Sequence, residues 1–282
     1  MTNLQIVIKE IKNLKPIPAV VTSLLEIIDD PNASMNEITK IIQYDPAITA
    51  DLLRTANSAY FGLKHPAETI QEAAMMLGTD HVVDLVMLKV SAQVAKGTQK
   101  GYDLHEGALW KYSVSSALIA KQVAVQLDLP NKNSIFTAAL LKDIGKTVLD
   151  KFIQDAFEKI SNLVINENFS FMEAEKQIIG VDHAELGAMI AKMWKFSPRM
   201  VGIIRNHHLS SETMVRDKDL AVVYLSDCIC MMMGMGVGAD GLAYRFHPQA
   251  MDHIGISAED TLKIIADFAC RMDAVEMLLK VA

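Results

Sequence analysis

The chain has 282 residues, of which 51% are hydrophobic and 6% aromatic, so it can bury one large core or two lobes that share an interface. Its formal net charge of -7 opposes the basic surface on which phosphate-backbone binding depends, and we therefore expect no nucleic-acid partner. The longest uncharged run, from Cys228 to Ala239, is too short and too rich in glycine to span a bilayer, which predicts no membrane segment.

Helical periodicity recurs along the chain, whereas alternating strand patterns bounded by hairpin turns are hard to find, so we predict an all-α fold. In the first third, apolar residues at helical spacing predict a helix from Ala19 to Ile28. Further helices are predicted to begin at the capping signals Ser34-x-x-Glu37, Asp45-Pro46 and Thr69-x-x-Glu72. A longer helix is predicted from Asp80 to Val94.

The stretch Lys96-Gly97-Thr98-Gln99-Lys100-Gly101 has the composition of a linker. We therefore predict an N-terminal lobe over residues 1–97, a linker over 98–102 and a second lobe over 103–282. Beyond the linker, capping signals at Ser170-x-x-Glu173 and Ser257-x-x-Asp260 support further helices. The predicted helices there are 109–127, 134–149, 170–179, 183–194, 198–207 and 220–233. The final helix of the chain is predicted to reach residue 279.

Three cysteines, Cys228, Cys230 and Cys270, are an odd number, lie among apolar residues and accompany no secretory leader. This pattern indicates reduced thiols and predicts a cytoplasmic location. Cys228-x-Cys230 lacks a second pair at zinc-finger spacing, which favours buried thiols over a zinc site.

A series of ordered motifs resembles the HDOD family, the HD-related output domain, over about residues 10 to 230. Several motifs in the expected order are more specific than one short pattern. They are Leu14-Lys15-Pro16-Ile17-Pro18, Asp45-Pro46-Ala47-Ile48-Thr49, Ala56-Asn57-Ser58-Ala59-Tyr60-Phe61-Gly62, Ala73-x-x-x-Leu77-Gly78, Leu109-Trp110-Lys111-Tyr112-Ser113, Lys142-Asp143, His183-Ala184-Glu185-Leu186-Gly187, Trp194-x-x-Ser197-Pro198 and His207-His208.

The resemblance implies an all-helical, two-lobed bundle related to the HD-domain phosphohydrolases. It also implies a bacterial protein with a role in signal transduction, usually as a non-catalytic output or scaffold module. Relatives often carry a receiver or cyclic-dinucleotide domain on the same chain, and this sequence has none. We therefore expect a separate protein partner or a small effector, bound in a groove between or within the lobes.

HD enzymes hold a metal with one histidine, a His-Asp pair and a later aspartate, because a divalent cation needs lone pairs from several helices. By the family pattern, Tyr112 takes the first histidine position and Lys142 the second, which leaves Asp143 and Asp227 as carboxylates. An ammonium carries no lone pair and cannot bind a cation. The resemblance therefore implies a degenerate site formed by Tyr112, Lys142, Asp143 and Asp227, with no catalytic residue and no cofactor.

We hypothesise that the charge of Lys142 partly replaces the missing cation and satisfies Asp143 and Asp227. The alternative is a Lys142 that points to solvent, since adjacent helical residues diverge by about 100°. Lys146 could contact a phosphate or an effector, or could be a solvated lysine on a helix face. Trp194 is expected to be a packing anchor.

His183, His207 and His208 leave a second function open, since the di-metal HD-GYP enzymes use additional histidines in a comparable order. Together with Asp143 and Asp227, these imidazoles could hold a single divalent metal such as iron, zinc or manganese. The chain would then be a residual metal-dependent phosphohydrolase. The stretch after His208 contains no Gly-Tyr-Pro sequence, which disfavours cyclic di-GMP hydrolysis.

Overall fold

The computed structural model of the chain describes residues 3–14, 17–28, 30, 32–209, 216–236, 238–243 and 247–281. In these ranges the backbone forms helices and no strand, apart from one isolated bridge between Gln99 and Leu104. The predicted all-α class is therefore confirmed. None of the described helices combines the length and the apolar character needed to cross a membrane.

The helices before residue 97 pack around an aliphatic core. They are α1 (Asn3–Lys12), α2 (Ala19–Ile27), α3 (Met35–Gln43), α4 (Pro46–Ala56), α5 (Ile70–Leu77) and α6 (Thr79–Ala95).

The helices of the remaining chain are longer on average and bury more of their surface. They are α7 (Ala108–Gln126), α8 (Lys132–Leu141), α9 (Lys146–Glu167), α10 (Phe171–Ile179), α11 (His183–Met193), α12 (Pro198–Asn206), α13 (Lys218–Met232), α14 (Pro248–Ile254), α15 (Ala258–Ala269) and α16 (Met272–Val281), with 3-10 turns at Lys100–Tyr102 and Ala239–Ala243.

Side-chain caps set where several helices begin. Ser34, Ser170 and Ser257 each form a reciprocal capping box at the start of α3, α10 and α15. Asp45 accepts hydrogen bonds from two backbone N–H groups at the start of α4, and the Thr69 hydroxyl caps α5. These caps satisfy backbone donors that the first helical turn leaves unpaired, and the structure confirms them where the sequence predicted them.

The prediction of one helix over residues 134–149 is wrong, because the structure places a turn between α8 and α9 at residues 142–145. Gly145 packs so closely against α11 that a Cβ there would overlap the carbonyl oxygen of His183. The side chains of Lys142 and Asp143 meanwhile form buried ion pairs. Tertiary contacts thus override a local sequence that favours helix. The sequence analysis also missed α1 and α14, and α9 continues to Glu167.

Three residues of the segment predicted as a linker are packed, whereas Thr98 and Lys100 are exposed. Gln99, Gly101 and Tyr102 are all buried. The backbone N–H of Gly101 donates to Asp150 Oδ1 of α9 over 2.7 Å. The division of the chain into two lobes at this point stays a prediction.

Polar contacts join the first six helices to the rest of the bundle. The Lys121 ammonium of α7 lies 2.5 Å from Asp84 Oδ2 of α6, and both side chains are largely buried. On α8, Asn133 donates to the Ile28 carbonyl over 3.2 Å and to Asp80 Oδ1 over 3.0 Å. These contacts fix α6 against α7 and α8, the helices that carry the candidate site.

We expect Gly145→Ala to lower the free energy of unfolding by about 2 kcal/mol or more, because the new methyl group meets backbone and cannot move a flexible side chain aside. Gly202→Ala in α12 is a matched control, since a Cβ there meets no atom within 4 Å. Alanine should leave stability unchanged at Gly202 or raise it by about 0.5–1 kcal/mol. Urea denaturation of both variants measures the difference, and equal effects would contradict this account of the turn.

Candidate functional site

A fully buried lysine lies at the C-terminal end of α8. Lys142 is 0% exposed, which makes the solvent-facing alternative wrong. Its Nζ contacts a carboxylate oxygen of Asp143 and lies 2.6 Å from Asp227 Oδ1 on α13. The ammonium also lies 4.5 Å from the centre of the Tyr112 ring on α7. One cation therefore joins three helices at a point closed to solvent.

Tyr112 adds a neutral donor to the same carboxylate. Its hydroxyl donates to Asp227 Oδ1 over 2.6 Å. Burial and the nearby charge of Asp227 raise the pKa of Tyr112 well above its usual range. The phenol consequently stays protonated and keeps its role as a donor.

Lys146, in the first turn of α9, extends this cluster and is not the solvated lysine considered above, since it is 5% exposed. Its Nζ lies 2.8 Å from Asp143 Oδ1 and 2.6 Å from Asp240 Oδ2 in the 3-10 turn Ala239–Ala243. Asp143 and Asp240 thus already pair with the Lys146 ammonium, the group that could otherwise contact a phosphate.

The ion pairs outweigh burial and keep the cluster charged. Burial by itself would raise the pKa of Asp143, but Lys142 and Lys146 hold it well below the usual range. Burial likewise opposes ionisation of Asp227, and Lys142 lowers its pKa. Burial lowers the pKa of Lys142, yet the two carboxylates bring it above its ordinary value. Asp143, Asp227 and Lys142 are therefore all ionised at neutral pH.

Three imidazoles lie beside this ion cluster. His183 begins α11, and His207 and His208 follow the last turn of α12. One ring nitrogen from each lies within 4.8 Å of the others, and His183 Nε2 is 2.8 Å from His208 Nε2. The structure thus brings together the three histidines that the sequence singled out.

Hydrogen bonds to the far nitrogens orient two of the rings. His183 Nδ1 lies 2.7 Å from Glu175 Oε2, and His207 Nδ1 donates to the Ile204 carbonyl over 2.8 Å. A carbonyl only accepts, so the proton of His207 is on Nδ1 and its Nε2 carries a lone pair. His207 Nε2 is buried and has no hydrogen-bond partner among the described residues.

The protonation states of the histidines differ. Burial lowers the pKa of His207 to about 4. Burial and the neighbouring imidazoles bring that of His208 well below the usual range. For His183, burial opposes the charge, but Glu175 outweighs it and raises the pKa. His207 and His208 are therefore neutral at pH 7 and can offer lone pairs.

Asp143 lies between the ion cluster and the histidines. Its Oδ1 is 3.7 Å from His183 Nε2 and 3.8 Å from His207 Nε2. Asp143 Oδ1 therefore lies beside two of the three imidazoles, and the three imidazole nitrogens are donors that fit a divalent transition metal. Asp227 Oδ1 instead faces Lys142 and Tyr112.

Sequence reasoning missed three participants. Glu175 is fully buried and accepts from the backbone N–H of His183 and from the Tyr102 hydroxyl, over 2.9 and 2.7 Å. Asp240 pairs with Lys146. Tyr102 lies in the predicted linker, and Glu175 lies between Ala174 and Lys176, where no local pattern marks it as buried. Residues 210–215, where the sequence lacks a Gly-Tyr-Pro loop, lie outside the described residues.

A protein-family model described as HDOD domain matches residues 14–210 of the chain. An uncharacterized protein of Treponema pallidum (strain Nichols) is 26% identical over 196 residues, which cover 68% of this chain and 37% of that protein. The match thus spans little more than a third of the length of this curated relative.

Solved structures share the fold along nearly the whole chain. An HDOD domain protein with unknown function from Geobacter sulfurreducens is 22% identical, with a TM-score of 0.76 and coverage of 99% of this chain and 98% of that one. A "Putative phosphohydrolase" from Shewanella amazonensis SB2B is 23% identical, with a TM-score of 0.69 and coverage of 98% and 97%. A "Putative signal transduction protein" from Marinobacter aquaeolei VT8 is 19% identical, with a TM-score of 0.75 and coverage of 95% and 60%. At these identities the likeness shows the fold alone.

We expect Lys142→Met to lower the free energy of unfolding at pH 7 by about 3–5 kcal/mol, because it leaves a buried carboxylate without its cation. A lowered carboxyl pKa stabilises the fold above the unfolded value, about pH 4, and this contribution disappears as the pH falls through the folded pKa. The gap between wild type and variant should therefore narrow below about pH 4. Urea denaturation across this range measures it.

Two companion variants sharpen this measurement. Adding Asp227→Asn to Lys142→Met removes the uncompensated charge and should recover part of the lost stability. Lys111→Met breaks a surface pair with Glu276, whose side chains are 40% and 48% exposed, and should cost less than about 1 kcal/mol. A Lys142→Met effect as small as that of Lys111→Met would contradict a supporting role for the buried ammonium.

Proposed function

This chain belongs to the HDOD family, and on that premise we propose that it is a non-catalytic output or scaffold protein of bacterial signal transduction, which binds a protein partner or a small effector in the cytoplasm. The observation that carries the proposal is the position of Lys142. Its ammonium contacts both Asp143 and Asp227, the carboxylates that an HD enzyme would offer to a metal.

The chemistry of the Lys142 and Tyr112 side chains supports the absence of hydrolytic activity in the proposed function. An ammonium and a protonated phenol are donors with no lone pair to give a cation, so Lys142 and Tyr112 occupy the carboxylate oxygens without replacing the metal's function. A metal at the same place would have to displace a buried ammonium from its counter-ions. Without a metal, the cluster has no means of generating hydroxide at neutral pH.

The signalling part of the proposal has independent support. The family match and the likeness of fold to the Marinobacter protein agree with a signalling role. Cys228 and Cys230 are buried, Cys270 is exposed, and none of the three forms a disulfide among the described residues, an arrangement suited to the reducing cytoplasm.

We expect the purified protein to show no turnover of bis(p-nitrophenyl) phosphate or cyclic di-GMP above the buffer rate, with Mg²⁺, Mn²⁺, Fe²⁺ or Zn²⁺ added. The reason is that Lys142 and Tyr112 contact the carboxylate that would otherwise help to hold a metal and its water. His207→Ala is the control for contaminating enzymes, since it removes a buried imidazole of the candidate site. Metal-dependent turnover that disappears in this variant would overturn the proposal.

The second candidate function is a residual metal-dependent phosphohydrolase that uses His183, His207, His208, Asp143 and Asp227. The observation in its favour is His207 Nε2, a buried lone pair without a partner among the described residues. Glu175 orients the His183 ring and the Ile204 carbonyl orients the His207 ring through the Nδ1 atom of each. In metal sites, the ligand histidines are oriented by hydrogen bonds of this kind. A bound divalent cation would supply a polarised water and an electrophile for a phosphoryl oxygen.

Metal titration decides between the candidates without any assay of activity. The second candidate predicts about one equivalent of Zn²⁺, Mn²⁺ or Fe²⁺ per chain by calorimetry and elemental analysis, because three imidazole nitrogens lie within 4.8 Å of one another and Asp143 Oδ1 lies beside two of them. His207→Ala should remove this binding, whereas His105→Ala, at an exposed residue, should keep it. Absence of stoichiometric binding to the wild type would exclude the second candidate.

A further inference from the structure

Among the described residues of the N-terminal helices, the three most exposed large apolar side chains lie where the end of α3 meets the start of α5. Tyr44, the residue after α3, is 87% exposed, and Met75 and Met76 on α5 are 67% and 46% exposed. The side-chain amide of Gln43 donates to the side-chain carbonyl oxygen of Gln71 over 2.6 Å, which joins the last residue of α3 to the first turn of α5. The tyrosine directly follows the first of these glutamines, and Met75 lies one helical turn after the second. We call the tyrosine and the two methionines the α3–α5 patch.

The α3–α5 patch is not part of the contact that holds the two helices in the fold. The opposite faces of the same helices supply the core, with Ile38 and Ile42 of α3 and Ala73 and Ala74 of α5 all buried. Tyrosine and methionine are enriched at protein–protein interfaces, where tyrosine is a frequent hot spot. The patch therefore has the composition of a surface that is stabilised when a partner removes it from water.

The charged residues beside the α3–α5 patch are mainly acidic. Asp45 directly follows the patch tyrosine, and Glu72 lies one helical turn before the patch methionines. Glu72 Oε2 accepts from the backbone N–H of Glu68 over 2.8 Å, which places a third acidic residue at the same end of α5. Lys40, one turn before the tyrosine, is the basic residue of α3. Three carboxylates against one ammonium give the surroundings of the patch a negative charge.

This charge decides between the possible occupants. A second copy of the chain would bring an equally acidic surface against the first, and the formal net charge of -7 on each chain adds to the repulsion. An anionic lipid surface or a phosphate backbone would be repelled for the same reason. A cationic amphipathic helix instead offers apolar side chains at i, i+3 and i+4 to the patch and positive groups to the carboxylates around it.

We propose that the α3–α5 patch is the docking surface for a basic, amphipathic helix of a partner protein. The apolar face of that helix covers the tyrosine and the two methionines, and its lysines or arginines pair with the surrounding carboxylates. The inference deepens the proposed function by naming the class of its protein partner. It rests on that function only for the signalling role, since the binding itself requires no property of the ion cluster or the histidines.

A helical peptide of about 18 residues, made of leucine and lysine with leucine at i, i+3, i+4 and i+7, tests the docking surface on the intact chain. Calorimetry should show saturable binding at one site per chain, and the affinity should fall as salt is added. The same peptide with glutamate in place of lysine should not bind. A peptide of the same composition without the helical spacing should bind about tenfold more weakly or less.

Matched variants separate the patch from the overall charge of the protein. Tyr44→Ala and Met75→Ala should each weaken peptide binding by about tenfold, because they remove apolar contact at the centre of the interface. Ile165→Ala, at a residue of α9 that is 75% exposed, should leave binding unchanged. Glu68→Gln should weaken binding and reduce its salt dependence, whereas Glu259→Gln, at an exposed residue of α15, should do neither.

All these variants alter exposed side chains, so their unfolding midpoints in urea should match that of the wild type. Equal peptide binding by wild type and Tyr44→Ala, or equal binding of the lysine and glutamate peptides, overturns the docking surface. Dimerisation in sedimentation velocity that Tyr44→Ala abolishes would assign the patch to a second copy and overturn the basic partner. Failure of the proposed function would instead appear as metal-dependent turnover, which these binding measurements do not report.

Discussion

The structure depends on a buried ammonium that is fully neutralised by its surroundings. Lys142 has no contact with solvent, and its charge is tolerated because Asp143 in the turn between α8 and α9 and Asp227 on α13 lie against it. Through Lys146, the series continues to Asp240, so positive and negative groups alternate from α13 to the 3-10 turn Ala239–Ala243. Because each of these charges has an opposite charge beside it, the chain can bury them. The ion pairs of Lys142 also explain why α8 ends at Leu141.

The Asp143 carboxylate contacts both the ion cluster and the histidines, so the two candidate functions compete for it. Its carboxylate pairs with Lys142 and Lys146, while the same Oδ1 lies within 4 Å of nitrogens of His183 and His207. A metal held by the histidines would have to share this oxygen with the Lys146 ammonium, which lies 2.8 Å from it, and the two cations would repel each other. The ion cluster therefore favours the proposed non-catalytic function. The orientation of the imidazoles is the observation that favours a metal-dependent function.

A cavity of about 340 Å³ lies between α2 and α6 on one side and the ends of α8 and α11 on the other. Its walls come from both halves of the chain, and one wall residue, Leu141, is bonded to the lysine on which the ion cluster depends. A ligand there would stabilise one arrangement of α6 relative to α8 and α11 in proportion to its differential affinity for that arrangement.

The sequence by itself determined the all-α class and the capped helix starts, because caps and helical periodicity are local signals. The set Tyr112, Lys142, Asp143 and Asp227 came from the resemblance to the HDOD family. Only the tertiary structure decided that Lys142 and Lys146 are buried and that the chain turns between α8 and α9. It alone assigned partners far away in the chain, such as Glu175 for Tyr102 and Asp240 for Lys146, which are 73 and 94 residues apart. Such contacts leave no periodic trace, since the energy that selects them arises when distant helices remove water from around opposite charges.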